Sequence, residues 1–207
     1  MRINEGKMLA WELFYIHNSG TESPYNYATV DVFENLQAAL KGITIEEAKK
    51  VWGEKYNDVF KKTTSLRNLV YSETLANEMG IQPKEPEKYL LISFMKTNDL
   101  GKYLEMEKKA YMPMHQAAVE EGKMVAWSVW SRWFPGDTSF DAVTVNAFAS
   151  AEQLNGMNYE SLFEKAKSGK NTNDLFEMVN LMDETSSIRT IVKSQLWELL
   201  DITQPKK

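Results

Sequence analysis

Four ionisable side chains are the candidates for chemistry in this 207-residue chain: His115, Arg132, Glu12 and Asp31. An imidazole titrates near neutral pH and can act as a general base or a ligand, while carboxylates and an arginine can bind a polar ligand or exchange protons. The same groups also form structural networks. We favour a structural ion pair for the acids and Arg132 and a packing role for His115, with catalysis as the alternative.

Aromatic and amide side chains could form the wall of a binding pocket around these groups. The candidates are Tyr111, Trp127, Trp130 and Asn146. Tryptophan and tyrosine combine a large apolar surface with one polar atom, which suits either a core or a ligand-binding wall. We expect core packing first and ligand contact second, because most tryptophan side chains are largely buried.

Composition disfavours several other kinds of site. The chain has no cysteine, which excludes disulfides, thiolate nucleophiles and thiolate metal ligands. Its two histidines, His17 and His115, lack the spacing of a zinc or di-iron site, so we predict no metal. No phosphate-binding loop, nucleophile elbow or dinucleotide fingerprint is present. Whether the protein is an enzyme stays open at this point.

Charge and hydropathy argue against a nucleic-acid partner and against a membrane span. The net charge is −5 and the lysines are scattered among glutamates, whereas nucleic-acid binding needs clustered positive charge. No run approaches the ~18 apolar residues of a membrane span. We therefore expect a soluble protein with a small-molecule ligand, and a homodimer is one arrangement open to it. The compartment is open between cytoplasm and periplasm or secretion, since a cysteine-free chain suits each.

The elements that position these side chains occur twice. GKMLAWELFYIHN, starting at Gly6, matches GKMVAWSVWSRWF, starting at Gly122. Two further pairs follow in the same order, NYATVDVF with DAVTVNAF and SLRNLVYS with SIRTIVKS. Three matched blocks in one order indicate that one supersecondary unit is used twice.

Each copy is predicted to begin with a two-stranded hairpin. Apolar and polar residues alternate along both strands, and the turns HNSGTESP and FPGDTS contain glycine and proline. We expect one mixed face of each hairpin to carry the site. In the first copy this face would hold Glu12, Phe14, Thr29 and Asp31, and in the second copy Trp130, Arg132, Thr144 and Asn146.

Helices and a further strand follow each hairpin. A capping box of Thr44 and Glu47 predicts a helix that ends near Thr63, and residues 159–168 and 174–183 are predicted helices of the second copy. The blocks that start at Arg67 and Arg189 fit either a helix or one face of a strand, and we predict a strand in both copies. Arginine occurs at the same position in both blocks, as Arg67 and Arg189. We expect each arginine to form a salt bridge to a helix end, with an anion-binding site as the alternative.

The second copy has an additional strand and helix in front of its hairpin. Residues 89–97 are apolar on both faces, which predicts a central strand, and residues 99–121 predict a helix that Pro113 kinks near Lys109. Prolines and charges mark a linker at residues 82–88. The predicted division is therefore a first unit at 1–81, this linker and a second unit at 89–207.

The second unit then reads β, α, β, β, α, β, the order of the ferredoxin-like motif. With YxxxSxMK, YMPMH, the AW strand, the FPxxT turn and RxxVxSxLW, the chain resembles tandem members of the dimeric α+β barrel superfamily. The resemblance implies an α+β fold of two ferredoxin-like units, each an antiparallel sheet with helices on one face. Together the two units would form a pseudo-symmetric barrel.

The resemblance specifies a fold but leaves many activities open. The superfamily includes heme-degrading and quinone-forming monooxygenases, isomerases and many proteins of unknown activity. Heme-degrading members use a helix histidine, so heme at His115 is a minor alternative to our prediction of no cofactor. The leading hypothesis is a small molecule bound or transformed between sheet and helices. The alternative is a non-catalytic structural or interaction module with a packed interior.

The first copy departs from this pattern because it begins at its AW strand. The initial strand and helix of the second copy have no counterpart before Met1. We expect a truncated start, in which case a secretion signal could also have been lost. A gap filled by another chain is the alternative.

Overall fold

The computed structural model describes residues 2–3, 5–17, 23–134 and 139–204, and the chain divides into two compact units. The first unit is Met1–Ser72 with Leu199–Lys207, and the second is Glu73–Glu198. The predicted α+β class is confirmed. The central residues of the two predicted hairpin turns, 18–22 and 135–138, lie outside the described part.

The first unit contains a hairpin followed by helices. In order, its elements are β1 (Ala10–Ile16), β2 (Tyr27–Val32), α1 (Leu36–Leu40), α2 (Ile45–Trp52), a 3-10 turn (Gly53–Lys55) and α3 (Tyr56–Leu66). The two strands pair antiparallel. The predicted capping box is present: the Thr44 hydroxyl accepts a hydrogen bond from the Glu47 N–H, and the Glu47 carboxylate accepts one from the Thr44 N–H. The predicted helix is interrupted at Gly53, whose φ of 53° favours glycine.

The strand predicted to start at Arg67 is wrong. Ser65 and Leu66 end α3, and residues 67–74 form no regular element. Leu69 and Val70 stay 83% and 50% exposed. These side chains therefore gain little of the burial on a sheet face that stabilises a strand.

The second unit carries a five-stranded antiparallel sheet. In order, its elements are β3 (Leu75–Ile81), β4 (Tyr89–Thr97), α4 (Leu100–Met106), a π-helical turn (Glu107–Tyr111), α5 (Met112–Glu120), β5 (Ala126–Arg132), β6 (Ala142–Phe148), α6 (Ala151–Leu154), α7 (Tyr159–Lys167), α8 (Thr172–Asp183), α9 (Thr185–Ile188) and β7 (Arg189–Thr203), which continues into the first unit. The strand order is β7, β4, β6, β5, β3.

The order β, α, β, β, α, β predicted for the second unit is present from β4 onwards. Residues 73–81, assigned to the first unit from the sequence, lie in the second unit here, because β3 pairs with β5. The division at 1–81, 82–88 and 89–207 and the pseudo-symmetric pairing of two repeated units stay predictions.

Each face of this sheet has its own apolar cluster. One face, the helix face, packs Met95, Trp127, Val129 and Phe148 against α4, α5, α7 and α8. The opposite face carries Ile92, Phe94, Phe140 and Val143, with Trp130 and Trp197 packed beside them. Any site on this sheet is therefore on one face or the other, and the strand register decides which residues can share it.

The long helix departs from α-helical geometry near Lys109, where the sequence predicts a kink. Pro113 has no N–H to donate to the carbonyl of Lys109, four residues earlier. The chain forms a π-helical turn over Glu107–Tyr111 at this point. Such turns are rare and often lie at functional sites. Among the helices in the described ranges, none is long and apolar enough to cross a membrane.

Candidate functional site

His115, Trp127 and Asn146 come together on the helix face. The His115 ring, on α5, stacks on the Trp127 ring of β5 with centroids 4.9 Å apart and an interplanar angle of 18°. Trp127 is directly opposite Asn146 in the ladder of β5 and β6. Directly opposed residues point to the same side of a sheet with Cβ atoms about 4.5–5.5 Å apart. Three candidate residues from three elements thus form one contiguous group.

Each member of this group has a buried polar atom without a hydrogen bond. Within the described residues, His115 Nδ1, Trp127 Nε1 and Asn146 Oδ1 have no partner. The indole N–H is a donor, the amide oxygen is an acceptor, and an imidazole nitrogen can be either. Buried polar groups are normally paired. This group therefore has an unused capacity to bind a polar molecule.

Burial fixes the protonation state of His115. Its side chain is 6% exposed, and desolvation lowers its pKa to about 4. The imidazole is therefore neutral at neutral pH, so it is a weak base that can exchange hydrogen bonds but carries no charge to attract an anion.

Trp130 and Arg132 lie on the opposite face of the sheet. The register pairs Trp130 with Val143, whereas Asn146 is opposite Trp127. The prediction that Trp130 and Arg132 share a face with Thr144 and Asn146 is therefore wrong. A shift of one residue in hairpin register exchanges the two faces, and the sequence of the loop does not define that register.

Arg132 is held by a structural ion pair. Its Nε and Nη2 atoms donate to the two carboxylate oxygens of Glu73 at 3.1 and 3.0 Å, and Nη1 donates to the Phe140 carbonyl. The guanidinium also lies over the Phe140 ring, 4.8 Å from its centroid. The preference for a structural role is supported by this geometry, but Glu73 is a partner that the sequence argument missed.

The two candidate acids of the first unit do not share a face. Glu12 is opposite Val30 in the hairpin, whereas Asp31 is opposite Trp11. Their predicted grouping on one mixed face is wrong for the same reason of register. Partial desolvation raises the pKa of Asp31, and Arg2 and Arg67 oppose that shift.

Tyr111 belongs to a second polar group on the helix side. Its hydroxyl is 2.7 Å from Thr185 Oγ1, and Arg189 lies over its ring. Arg189 faces Glu107 in the π-helical turn and not a helix end. Sequence reasoning missed Glu107, although its position four residues after Tyr103 places a carboxyl on the apolar stripe of the helix.

Two surface grooves of the second unit do not reach these groups. One, of about 460 Å³, lies between α5 and α7 beside Gln116 and Lys165, and another, of about 480 Å³, lies beside Lys102 and Glu177. Neither is lined by a candidate site residue. Heme would need an accessible nitrogen in a large cavity, and His115 is buried flat against Trp127. In this arrangement His115 does not fit an axial heme ligand.

No protein-family model and no curated protein matches the chain. Several solved structures resemble it. A "putative monooxygenase" of Fusobacterium nucleatum has a TM-score of 0.54 and 9% identity, covering 95% of this chain and 78% of that one.

Two further structures have TM-scores of 0.49. One is a "putative monooxygenase" of Lactobacillus acidophilus, with 12% identity over 98% of this chain and 87% of that one. The other is an anthrone oxidase-like protein, with 9% identity over 100% of this chain and 84% of that one. The chain thus shares the fold of the Fusobacterium protein, and at such low identity the likeness extends to the fold alone.

Proposed function

We propose that the protein binds a small molecule on the helix face of its second unit. An enzymatic reaction of that molecule would take place at the same site. The observation that carries this proposal is that His115 Nδ1, Trp127 Nε1 and Asn146 Oδ1, on side chains that stack or pair with one another, are all buried and without a hydrogen bond among the described residues. Each unsatisfied buried group costs about 1–3 kcal/mol. A ligand that pairs with them would recover part of that free energy.

The chemistry of the three atoms indicates the kind of ligand. The indole N–H would donate to a carbonyl or hydroxyl oxygen, and the Asn146 amide oxygen would accept from a hydroxyl. The neutral imidazole of His115 can accept a hydrogen bond from a second hydroxyl. We therefore favour an uncharged hydroxylated or carbonyl compound with apolar surface to lie along α5. Oxidation of such a compound would agree with the description given to the Fusobacterium protein.

Native mass spectrometry of the protein purified without added ligand tests this proposal. We expect an extra small-molecule mass, reduced at least tenfold in occupancy by Asn146→Leu and by His115→Phe, which keeps a ring on Trp127. Asn77→Leu is the matched control, because Asn77 is exposed and opposite Trp130 on the other face. Unchanged occupancy in folded Asn146→Leu and His115→Phe proteins would refute the site.

One observation favours a second candidate, a self-associating interaction module. Trp52, Tyr56 and Phe60 stack in a row with centroids 6.4 and 6.1 Å apart, and Trp52 and Phe60 are 45% and 56% exposed. Burying such rings would stabilise a dimer. In the same native spectrum this candidate gives a dimer mass without a small molecule, whereas the leading proposal gives the small-molecule mass.

A further inference from the structure

A second buried polar group lies beneath the π-helical turn. It consists of Tyr103 on α4, Glu107 on the turn and Arg189 at the start of β7. Tyr103 is fully buried, Glu107 is 2% exposed and the Arg189 side chain is 14% exposed. A carboxyl in such surroundings is unusual, because buried charges are normally paired and hydrogen-bonded.

Two polar atoms of this group approach each other without bonding directly. Arg189 Nε is 3.6 Å from Glu107 Oε1, too far for a direct hydrogen bond. Within the described residues, these two atoms and Tyr103 Oη are buried and lack a hydrogen-bond partner. Tyr111, the last residue of the turn, directs its hydroxyl to Thr185 and so does not fill the gap.

The donors and acceptors of this group match a water molecule. Arg189 Nε–H and the Tyr103 hydroxyl can both donate to a water oxygen, and the water can donate to Glu107 Oε1. Buried waters typically make about three hydrogen bonds to groups that would otherwise be unsatisfied. A polar separation beyond 3.5 Å is also the usual sign of a bridging water.

We propose that Tyr103, Glu107 and Arg189 bind one internal water molecule and that Glu107 takes up and releases a proton through it. In the uptake step this water passes one of its protons to the Glu107 carboxylate and takes a replacement proton from a solvent hydronium ion, which becomes water. In release, the carboxyl returns a proton to this water, which passes one of its own to solvent water. This site is separate from His115, about 12 Å away along the helix at 1.5 Å per residue, and does not depend on the proposed ligand site.

The surroundings place this exchange near neutral pH. Burial raises the pKa of Glu107 to about 7, while the positive charge of Arg189 and the nearby Tyr103 hydroxyl oppose the rise. Two lysines, one on α4 and one on the turn, pair with carboxylates at the surface. Lys109 contacts Glu105 and Glu177, and Lys102 contacts Glu184, all about half exposed. Arg189 and Tyr103 are therefore the groups that set the proton affinity of Glu107.

Infrared difference spectra between about pH 5.5 and pH 8.5 test the proton exchange, because ordinary carboxyls are ionised throughout that range. We expect a protonated-carboxyl band at the lower pH that is absent in Glu107→Gln and present in the matched control Glu105→Gln. Tyr103→Phe should move the midpoint of this band to higher pH. A band that persists in Glu107→Gln, or no band in the wild type, would overturn the assignment.

A high-resolution crystal structure tests the water. We expect one water within hydrogen-bond distance of Tyr103 Oη, Glu107 Oε1 and Arg189 Nε, with weaker occupancy in Tyr103→Phe because one of its three partners is lost. A direct hydrogen bond between Glu107 and Arg189 with no water between them would contradict the proposed site.

Discussion

The helices of the two units differ in what they bury. Helices α1, α2 and α3 of the first unit contain no buried residue among those described, and Val51, Trp52 and Phe60 are about half exposed. The helices α4, α5, α7 and α8 of the second unit pack buried side chains against the sheet and one another. Both sets are amphipathic. An apolar stripe therefore predicts a helix without predicting what covers it.

Local interactions hold the helices of the first unit. The capping box of Thr44 and Glu47 stabilises the start of α2, and the Thr63 hydroxyl bonds back to the Val59 carbonyl in α3. Such contacts are individually small, whereas buried packing supplies most helix stability in proteins. The first unit should therefore open locally more readily than the second.

A matched pair of leucine truncations should give the largest contrast between the units. Leu162 on α7 is fully buried, and Leu66 at the end of α3 is 74% exposed. We expect Leu162→Ala to lower the free energy of unfolding by about 2–5 kcal/mol. Leu66→Ala should change it by about 0.5 kcal/mol or less. Urea unfolding followed by tryptophan fluorescence measures both.

An equal loss from the two truncations would mean that Leu66 is covered in solution. A concentration-dependent loss for Leu66→Ala would then identify self-association as the source, because the stability of a dimer depends on protein concentration.

Glu107 and His115, both on the long helix of the second unit, should change the free energy of unfolding in opposite directions as the pH rises. Folding raises the pKa of Glu107 from 4.5 to about 7. Its contribution to the free energy of unfolding is therefore full below pH 4.5 and is lost as the pH rises through 7. The pKa of His115 falls from 6.5 to about 4, so its contribution is full above pH 6.5 and is lost as the pH falls through 4. Each shift corresponds to about 3 kcal/mol.

These two contributions should largely cancel between pH 4.5 and pH 6.5 in the wild type. We expect Glu107→Gln to leave a protein that loses stability on acidification, and His115→Phe one that loses stability on alkalinisation. The check is the urea midpoint at a series of pH values. Parallel pH profiles for both variants and the wild type would show that neither group is desolvated as described.

A pair of helix-cap substitutions should give the smallest effect. The side chains of Thr44 and Asn171 cap α2 and α8, and each substitution by alanine should cost about 1 kcal/mol. Because α8 buries Met178 and Leu181, Asn171→Ala should lower global stability. Thr44→Ala should instead speed amide exchange within α2 and leave global unfolding nearly unchanged. Equal global losses would show that α2 unfolds together with the rest of the molecule.

Local structure was the part that sequence could predict. The strand at residues 89–97 and the capping box at Thr44 depend on neighbouring residues, and both are found. The strand predicted to start at Arg67 fails because its apolar pattern is not buried on a sheet. The duplication of the unit stays a prediction of the sequence.

The composition of the site depends on long-range register, which the sequence does not define. The alternation of side chains along the strand correctly placed Trp127 and Trp130 on opposite faces of the sheet. The pairing of the two hairpin strands decides that Asn146 lies on the same face as Trp127. The partner of Arg132 is Glu73, 59 residues away along the chain. Glu107 had a usable signal, since a carboxyl within an apolar helical stripe is costly unless something pairs with it.

The π-helical turn also changes the direction in which the later side chains of the same helix point. A π-helical turn closes with an i→i+5 hydrogen bond, so it accommodates one residue more than the α-helical turn. Each residue in an α-helix rotates the following side chains by about 100°. The extra residue at Glu107–Tyr111 thus sets the angular position at which His115 meets Trp127. Deleting a single residue there would turn the imidazole away from the sheet while preserving its helix.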